Sequence, residues 1–283
     1  MKIEQIYTGC LAQGAYYIVS GTEAVIIDPL REVEPYLQRL KEDGVTLKYI
    51  FETHFHADFV SGHLDLSQKT NAPIVYGPTA KPAFEAIVAE DEQIFEVGSV
   101  KLKALHTPGH TMESTCYLLM DEQGKDHSLF SGDTLFLGDV GRPDLAQKAA
   151  DMTQDQLAGL LYESLMSKIM PLSDDVTVYP AHGAGSACGK NMMKETVDSL
   201  GNQKKMNYAL NQPNKEAFKT LNTFTRERGE FIPPLMNIYM NLSPTMMTFD
   251  TAINPDFGNV EETGILVKIA DIYPDKKERH IDF

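Results

Sequence analysis

The sequence predicts an α/β sandwich whose helices lie outside packed sheets. A helix-then-strands order carries that prediction, because it occurs twice along the chain. A second observation places function on the fold. Histidines and carboxylates sit beside Gly or Pro at the ends of apolar strands, where loops on a rigid scaffold hold binding and catalytic groups.

Taken in order, Ala15-Tyr16-Tyr17-Ile18-Val19 and Ala24-Val25-Ile26-Ile27 are β-rich runs separated by Ser20-Gly21-Thr22-Glu23, which predicts a hairpin. Asp28-Pro29 ends its second strand. Residues 34–42 set Leu37 and Leu40 at helical spacing and stop near Gly44. Residues 47–51 form the next strand, 61–71 a short helix and 73–76 a further strand. Consecutive strands then follow at 93–97, 100–105, 114–120 and 129–131, with Gly98 and Gln123-Gly124 in turns. A long loop runs from Leu135 through Gly141-Arg142-Pro143-Asp144. Leu157, Leu160, Leu161, Leu165 and Ile169 mark one face of a helix. Val176-Thr177-Val178-Tyr179 reads as a strand, and 190–210 and 215–226 read as helices. Beyond Phe231, prolines, asparagines and Gly258 punctuate short apolar pieces, with one strand candidate at 265–269. The expected division is a catalytic domain over 1–210 and a C-terminal helix and extended segment over 211–283.

Composition narrows the function classes. The chain has 283 residues and a formal net charge of −15, which argues against nucleic acid, since a phosphate backbone would be repelled. Cys10, Cys116 and Cys188 are odd in number and far apart, so neither a disulfide framework nor a CxxC zinc site is implied. A reducing, cytoplasmic setting is expected. The N-terminus lacks a signal-peptide pattern, and no apolar run approaches membrane-spanning length.

The chemistry gathers in Thr53-His54-Phe55-His56-Ala57-Asp58-Phe59, directly after the strand 47–51. Imidazole and carboxylate together are ligands for a borderline metal, and alternation along an extended segment sends His54 and His56 to one side. A polar strand-to-helix turn with capping histidines is the competing account of this stretch alone. Three more groups follow strands: His110 in Thr-Pro-Gly-His-Thr, Asp133 in Ser-Gly-Asp-Thr and His182 in Tyr-Pro-Ala-His-Gly. Each alone has a structural explanation, but four in this order favour a metal site. Arg142 and Asp144, in Gly-Arg-Pro-Asp, are either a surface-loop pair or an ion pair that supports a site. Tyr179 is either a hydroxyl donor to the site or a core ring, and Cys188 is a small buried residue or a reactive thiol at a helix start. His63, His106 and His127 are read as structural, and His280 lies in the tail.

THFHAD, TPGHT, SGDTLF and YPAHG resemble the ordered ligand motifs of the metallo-β-lactamase superfamily, over residues 7–182. The resemblance implies an αββα sandwich with a metal site at one edge between two sheets, followed here by a C-terminal extension. Many binuclear hydrolases of that superfamily carry HxHxDH. This chain has Phe59 at the final position, which cannot coordinate, so one metal is expected rather than two. HADFVSGH, SGDTLFLGDVGRPD and AHGAGSACG further resemble the persulfide dioxygenase branch, often fused to rhodanese domains. That resemblance implies one iron(II) per chain held by His54, His110 and Asp133, with His56, Asp58 and His182 orienting ligands or water. A zinc site in the same fold would use His54, His56 and His110, and the sequence leaves the two sets open. The implied substrates are a low-molecular-weight thiol persulfide, such as glutathione persulfide, and O2. A homo-oligomer and a sulfurtransferase (rhodanese) partner are further expectations. No cysteine follows Cys188, so no working rhodanese domain is expected within 211–283. The rivals are a glyoxalase-II-like thioester hydrolase and a non-catalytic metal-dependent sensor or scaffold.

Overall fold

The structure is a computed structural model and describes residues 1–186, 188–189, 192–212, 215, 218–219, 247–254 and 260–266. The chain divides into two compact units, Met1–Glu227 and Arg228–Phe283.

The first unit contains two six-stranded sheets. One joins β1 (Lys2–Thr8), β2 (Gln13–Ser20), β3 (Glu23–Ile27), β4 (Thr46–Phe51), β5 (Ile74–Tyr76) and β6 (Ile87–Val88) in sequence order. β1 to β3 pair antiparallel and β3 to β6 pair parallel. The second sheet runs β12 (Asp198–Ser199), β11 (Thr177–Pro180), β10 (Asp126–Gly132), β9 (Thr115–Met120), β8 (Val100–His106) and β7 (Ile94–Val97). The predicted β2–β3 hairpin is present, with Gly21 at φ 61° in its turn.

Alternation along the strands decides which side chains go where. Tyr16, Ile18, Val25 and Ile27 face inward and meet Tyr117, Leu119 and Phe130 from the second sheet, forming the core between the sheets. Their neighbours Ala15, Tyr17, Ala24 and Ile26 face outward and are covered by Tyr36 and Leu40 of α1 (Glu34–Asp43) and Leu66 of α2 (His63–Thr70). On the far side, Cys116, Leu118 and Val178 are covered by α4 (Gln154–Ser164), the π-helical turn Leu165–Ile169, and α5 (Leu200–Met206). This is the αββα sandwich. Gly44 at φ 64° closes α1, and Thr153 opens α4 with a capping box closed by Gln156. Phe218 is buried in the helix-side core, so the first unit continues past residue 210.

Several elements depart from expectation. The helix over 190–210 is replaced by an edge strand, β12, and the short α5. Asp198 and Ser199 pair with Val178 and Thr177, so sheet hydrogen bonds win over the helix-forming Met and Lys composition. Ser199 then caps α5 by accepting from the Asn202 amide. β1, β6 and the short α3 (Gln147–Ala150) were not anticipated. Most of 215–226 lies outside the described residues. The second unit contains an antiparallel hairpin of β13 (Met247–Asn254) and β14 (Val260–Leu266). It overlaps the strand candidate only at residues 265–266, and 267–269 lie outside the described residues. Among the described residues no helix is long and apolar enough to cross a membrane.

Candidate metal centre

Four loops leave one edge of the sandwich: after β4, β8, β10 and β11. They carry His54, His110, Asp133 and His182, all buried. Asp133 is at the centre. Its Oδ2 lies 3.3 Å from His110 Nε2 and 3.8 Å from His54 Nε2, and its Oδ1 lies 3.7 Å from His182 Nε2. Neither carboxylate oxygen of Asp133 has a hydrogen-bond partner. A buried, unpartnered carboxylate facing three imidazole nitrogens is costly unless a cation joins it. The donor set therefore fits a metal, and His54, His110 and Asp133 have ligand atoms all within 4.8 Å of one another.

The histidines are held so that Nε2 is free to coordinate. Thr53 donates its amide and its hydroxyl to Asp28, each at 2.8 Å. With the hydroxyl proton committed, the 3.0 Å contact between Thr53 Oγ1 and His54 Nδ1 must have Nδ1–H as donor. His110 Nδ1–H donates to the Arg142 carbonyl at 2.9 Å and His182 Nδ1–H to the Ala12 carbonyl at 3.3 Å. Such outer contacts fix the tautomer of a ligating imidazole. Burial, reinforced by the neighbouring His56, His110 and His182, holds His54 well below the usual histidine range, so its ring is neutral. Gly141 makes the close approach possible, because a Cβ there would lie 1.8 Å from the Asp133 carbonyl oxygen.

His56 takes a different position from the one alternation suggests. Its ring lies 4.2 Å from that of His54, but residues 53–59 are loop rather than strand. Its Nε2 turns to Asp28 Oδ1 at 3.0 Å and Glu52 Oε2 at 3.5 Å. Burial opposes the imidazolium there, but Asp28 and then Glu52 outweigh it and raise the pKa to about 9. His56 thus groups with two carboxylates instead of with His54 and His110. His63 joins this cluster, 3.5 Å from Glu52 Oε1.

The remaining candidates are now placed. Asp58 lies 3.1 Å from His182. The Phe59 ring packs at a tilt against that of His56. Arg142 and Asp144 form a largely buried two-point ion pair at 3.1 and 2.7 Å. The Tyr179 ring stacks on Phe130 at 5.2 Å and belongs to the core between the sheets. Cys188 is buried, and it sits in a turn rather than at the start of a helix. His106 is half-buried against the Met112 carbonyl and His127 is exposed. Sequence reasoning missed Asp28, Glu52 and Thr53 as site-supporting groups. The available signal was an acidic residue directly after each of two apolar strands, Ile27-Asp28 and Phe51-Glu52. Asp28 adopts φ 50°, an uncommon conformation for a non-glycine residue.

Comparison with known proteins gives the family. A model of the metallo-beta-lactamase superfamily matches residues 8–182. The chain belongs to this superfamily. A Staphylococcus aureus metallo-beta-lactamase structure is 36% identical, with a TM-score of 0.69, covering 78% of this chain and 66% of that one. ETHE1 from Myxococcus xanthus is 28% identical, with a TM-score of 0.69, covering 83% and 94%. Among curated relatives, the hydroxyacylglutathione hydrolase of Tolumonas auensis is 34% identical over 59% of this chain. A glycine N(alpha)-acyltransferase of Phocaeicola vulgatus is 59% identical over 68 residues, 24% of this chain. The chain spans about 60% of the length of that hydrolase and about a fifth of that acyltransferase. Superfamily membership accounts for the metal-binding groups at the sheet edge.

Proposed function

We propose that this superfamily member is a persulfide dioxygenase with one iron(II) at His54, His110 and Asp133. The observation that supports this reading is the turn of His56 toward Asp28 and Glu52. That turn leaves a two-histidine, one-carboxylate group with open positions, the pattern favoured by non-haem iron oxygenases, in place of a three-histidine zinc set. The motifs HADFVSGH and SGDTLFLGDVGRPD, which resemble the persulfide dioxygenase branch, and the likeness to ETHE1 from Myxococcus xanthus support the same reading.

Iron(II), when bound, would supply the redox chemistry that joins dioxygen to the terminal sulfur. A thiol persulfide, dioxygen and water give the thiol and sulfurous acid, R–S–SH + O2 + H2O → RSH + H2SO3. The chain's own residues do the rest. His54, His110 and Asp133 present their donor atoms, Thr53 and the Arg142 carbonyl orient the two rings, and Phe59 keeps an apolar group beside the site. A sulfurtransferase of the rhodanese type would supply the persulfide under the same proposal, and its glutathione form is the first substrate to test.

The test is metal analysis of protein purified without oxygen, followed by oxygen uptake with glutathione persulfide. One iron per chain and uptake abolished in His110→Ala is the expected result. Stoichiometric zinc with thioester cleavage and no oxygen uptake would overturn it in favour of a hydrolase. That second reading draws on the Asp58–His182 contact and the hydrolase relatives.

A further inference from the structure

We propose that Gln203, Asn207 and Tyr208 are positioning residues for the metal group, acting through the turn that joins Asp133 to Arg142. The inference rests on the assignment of His54, His110 and Asp133 as ligands and is indifferent to which metal they hold.

Asp133 belongs to the ligand group, and the Arg142 carbonyl aims the His110 ring. The chain between them folds back on itself. Leu135 and Val140 form an antiparallel bridge, and the Phe136 amide donates to the Asp139 carbonyl at 3.0 Å. Gly138 takes φ 84° at the third position of this turn, where a left-handed residue is required. Asp133 lies two residues before the bridge and Arg142 two residues after it, so a tilt of the turn would move a ligand relative to a ligand's support. Three side chains from 65 to 71 positions downstream hold the turn in place. Asn207, fully buried, donates its amide to the Phe136 carbonyl at 3.2 Å and to the Asp139 carbonyl at 2.9 Å. Gln203, equally buried in α5, accepts from the Gly138 amide at 2.7 Å. Tyr208 donates its hydroxyl to Asp139 Oδ1 at 2.6 Å. Leucine would fill the space of Asn207 or Gln203 without the cost of burying an amide. What the amides contribute is therefore their grip on the main chain of the turn, and through it the relative placement of Asp133 and His110.

Cobalt(II) titration of the metal-free protein, read by the visible ligand-field bands of the bound ion, tests this. The native protein should show these bands, and His110→Ala should abolish them. Asn207→Leu and Gln203→Leu should each weaken cobalt affinity by about tenfold and shift the bands, because Asp133 and His110 then meet the ion at altered angles. Leu200→Ala, fully buried in the same helix, is the control for stability alone: it should lower the thermal midpoint and leave bands and affinity unchanged. Tyr208→Phe removes one hydroxyl from a partly buried side chain and keeps the ring, so it decides the matter should the leucine variants fail to fold. A smaller band shift in the same direction is expected from it. Unchanged bands and affinity in the leucine variants, or in Tyr208→Phe where those do not fold, would overturn the proposal. An equal effect from Leu200→Ala would do the same. Cobalt bands that survive His110→Ala would instead overturn the ligand assignment, and the proposal with it.

Discussion

The ring of Phe59 lies over the imidazole of His56, with centroids 4.3 Å apart and planes inclined by 33°. The residue that cannot bind a metal thus covers the histidine that has turned away from the metal group. Replacing it with histidine would offer an imidazole beside Asp58 and His182 and uncover His56. Phe59→His should tighten binding of a second zinc ion by about tenfold or more. Competition with a chelator of known affinity would measure it, and an unchanged second binding constant would show that position 59 does not govern that site.

His56 gives the metal-free protein a pH-dependent stability. Its pKa is raised from 6.5 to about 9 by Asp28 and Glu52. The ion pair contributes fully below the unfolded value of 6.5 and is lost as pH rises through about 9. The contribution is on the order of 3 kcal/mol. Urea unfolding across that window should show stability declining in the native sequence, with the His56-dependent slope absent in His56→Gln.

Thr53 transmits the Asp28 carboxylate to His54. Thr53→Val keeps the shape and removes the hydroxyl, leaving His54 Nδ1 without its acceptor. Metal affinity should fall about 10- to 100-fold, with far-UV circular dichroism unchanged. Equal affinity in the variant would mean that Asp28 and Thr53 serve the fold only.

Gly141 sets the distance between two loops. A methyl group would meet the Asp133 carbonyl oxygen at 1.8 Å and His110 Cβ at 3.2 Å. Backbone cannot yield as a flexible side chain can, so Gly141→Ala should cost more than about 3 kcal/mol and displace Asp133. Loss of metal binding together with a lower thermal midpoint is the expected pair of readouts.

Most of the sandwich was legible because its strands are continuous apolar, β-rich runs, several of them buried along nearly their whole length, and its turns carry Gly, Pro or Asp. The four ligand loops were legible because each places His or Asp within about four residues of such a strand's end. What escaped detection depends on contacts distant in sequence. β12 exists because Asp198 and Ser199 meet the edge of β11. β1 escaped because its residues are only partly buried, so its apolar periodicity is weak. The direction of His56 is set by Asp28, 28 residues upstream, and spacing within Thr53–Phe59 carries no trace of it. Cys188 joins Asp58 and His182 only through folding.

The acceptors that orient His110 and His182 are main-chain oxygens, those of Arg142 and Ala12. An alanine scan is blind to both contacts, since every residue brings the same carbonyl. Positions 12 and 142 can drift in side-chain identity without altering how these rings are aimed, and a comparison of sequences would undercount the site accordingly. What these positions must preserve is the path of the backbone. Ala12 at φ 47° marks where that path is most demanding.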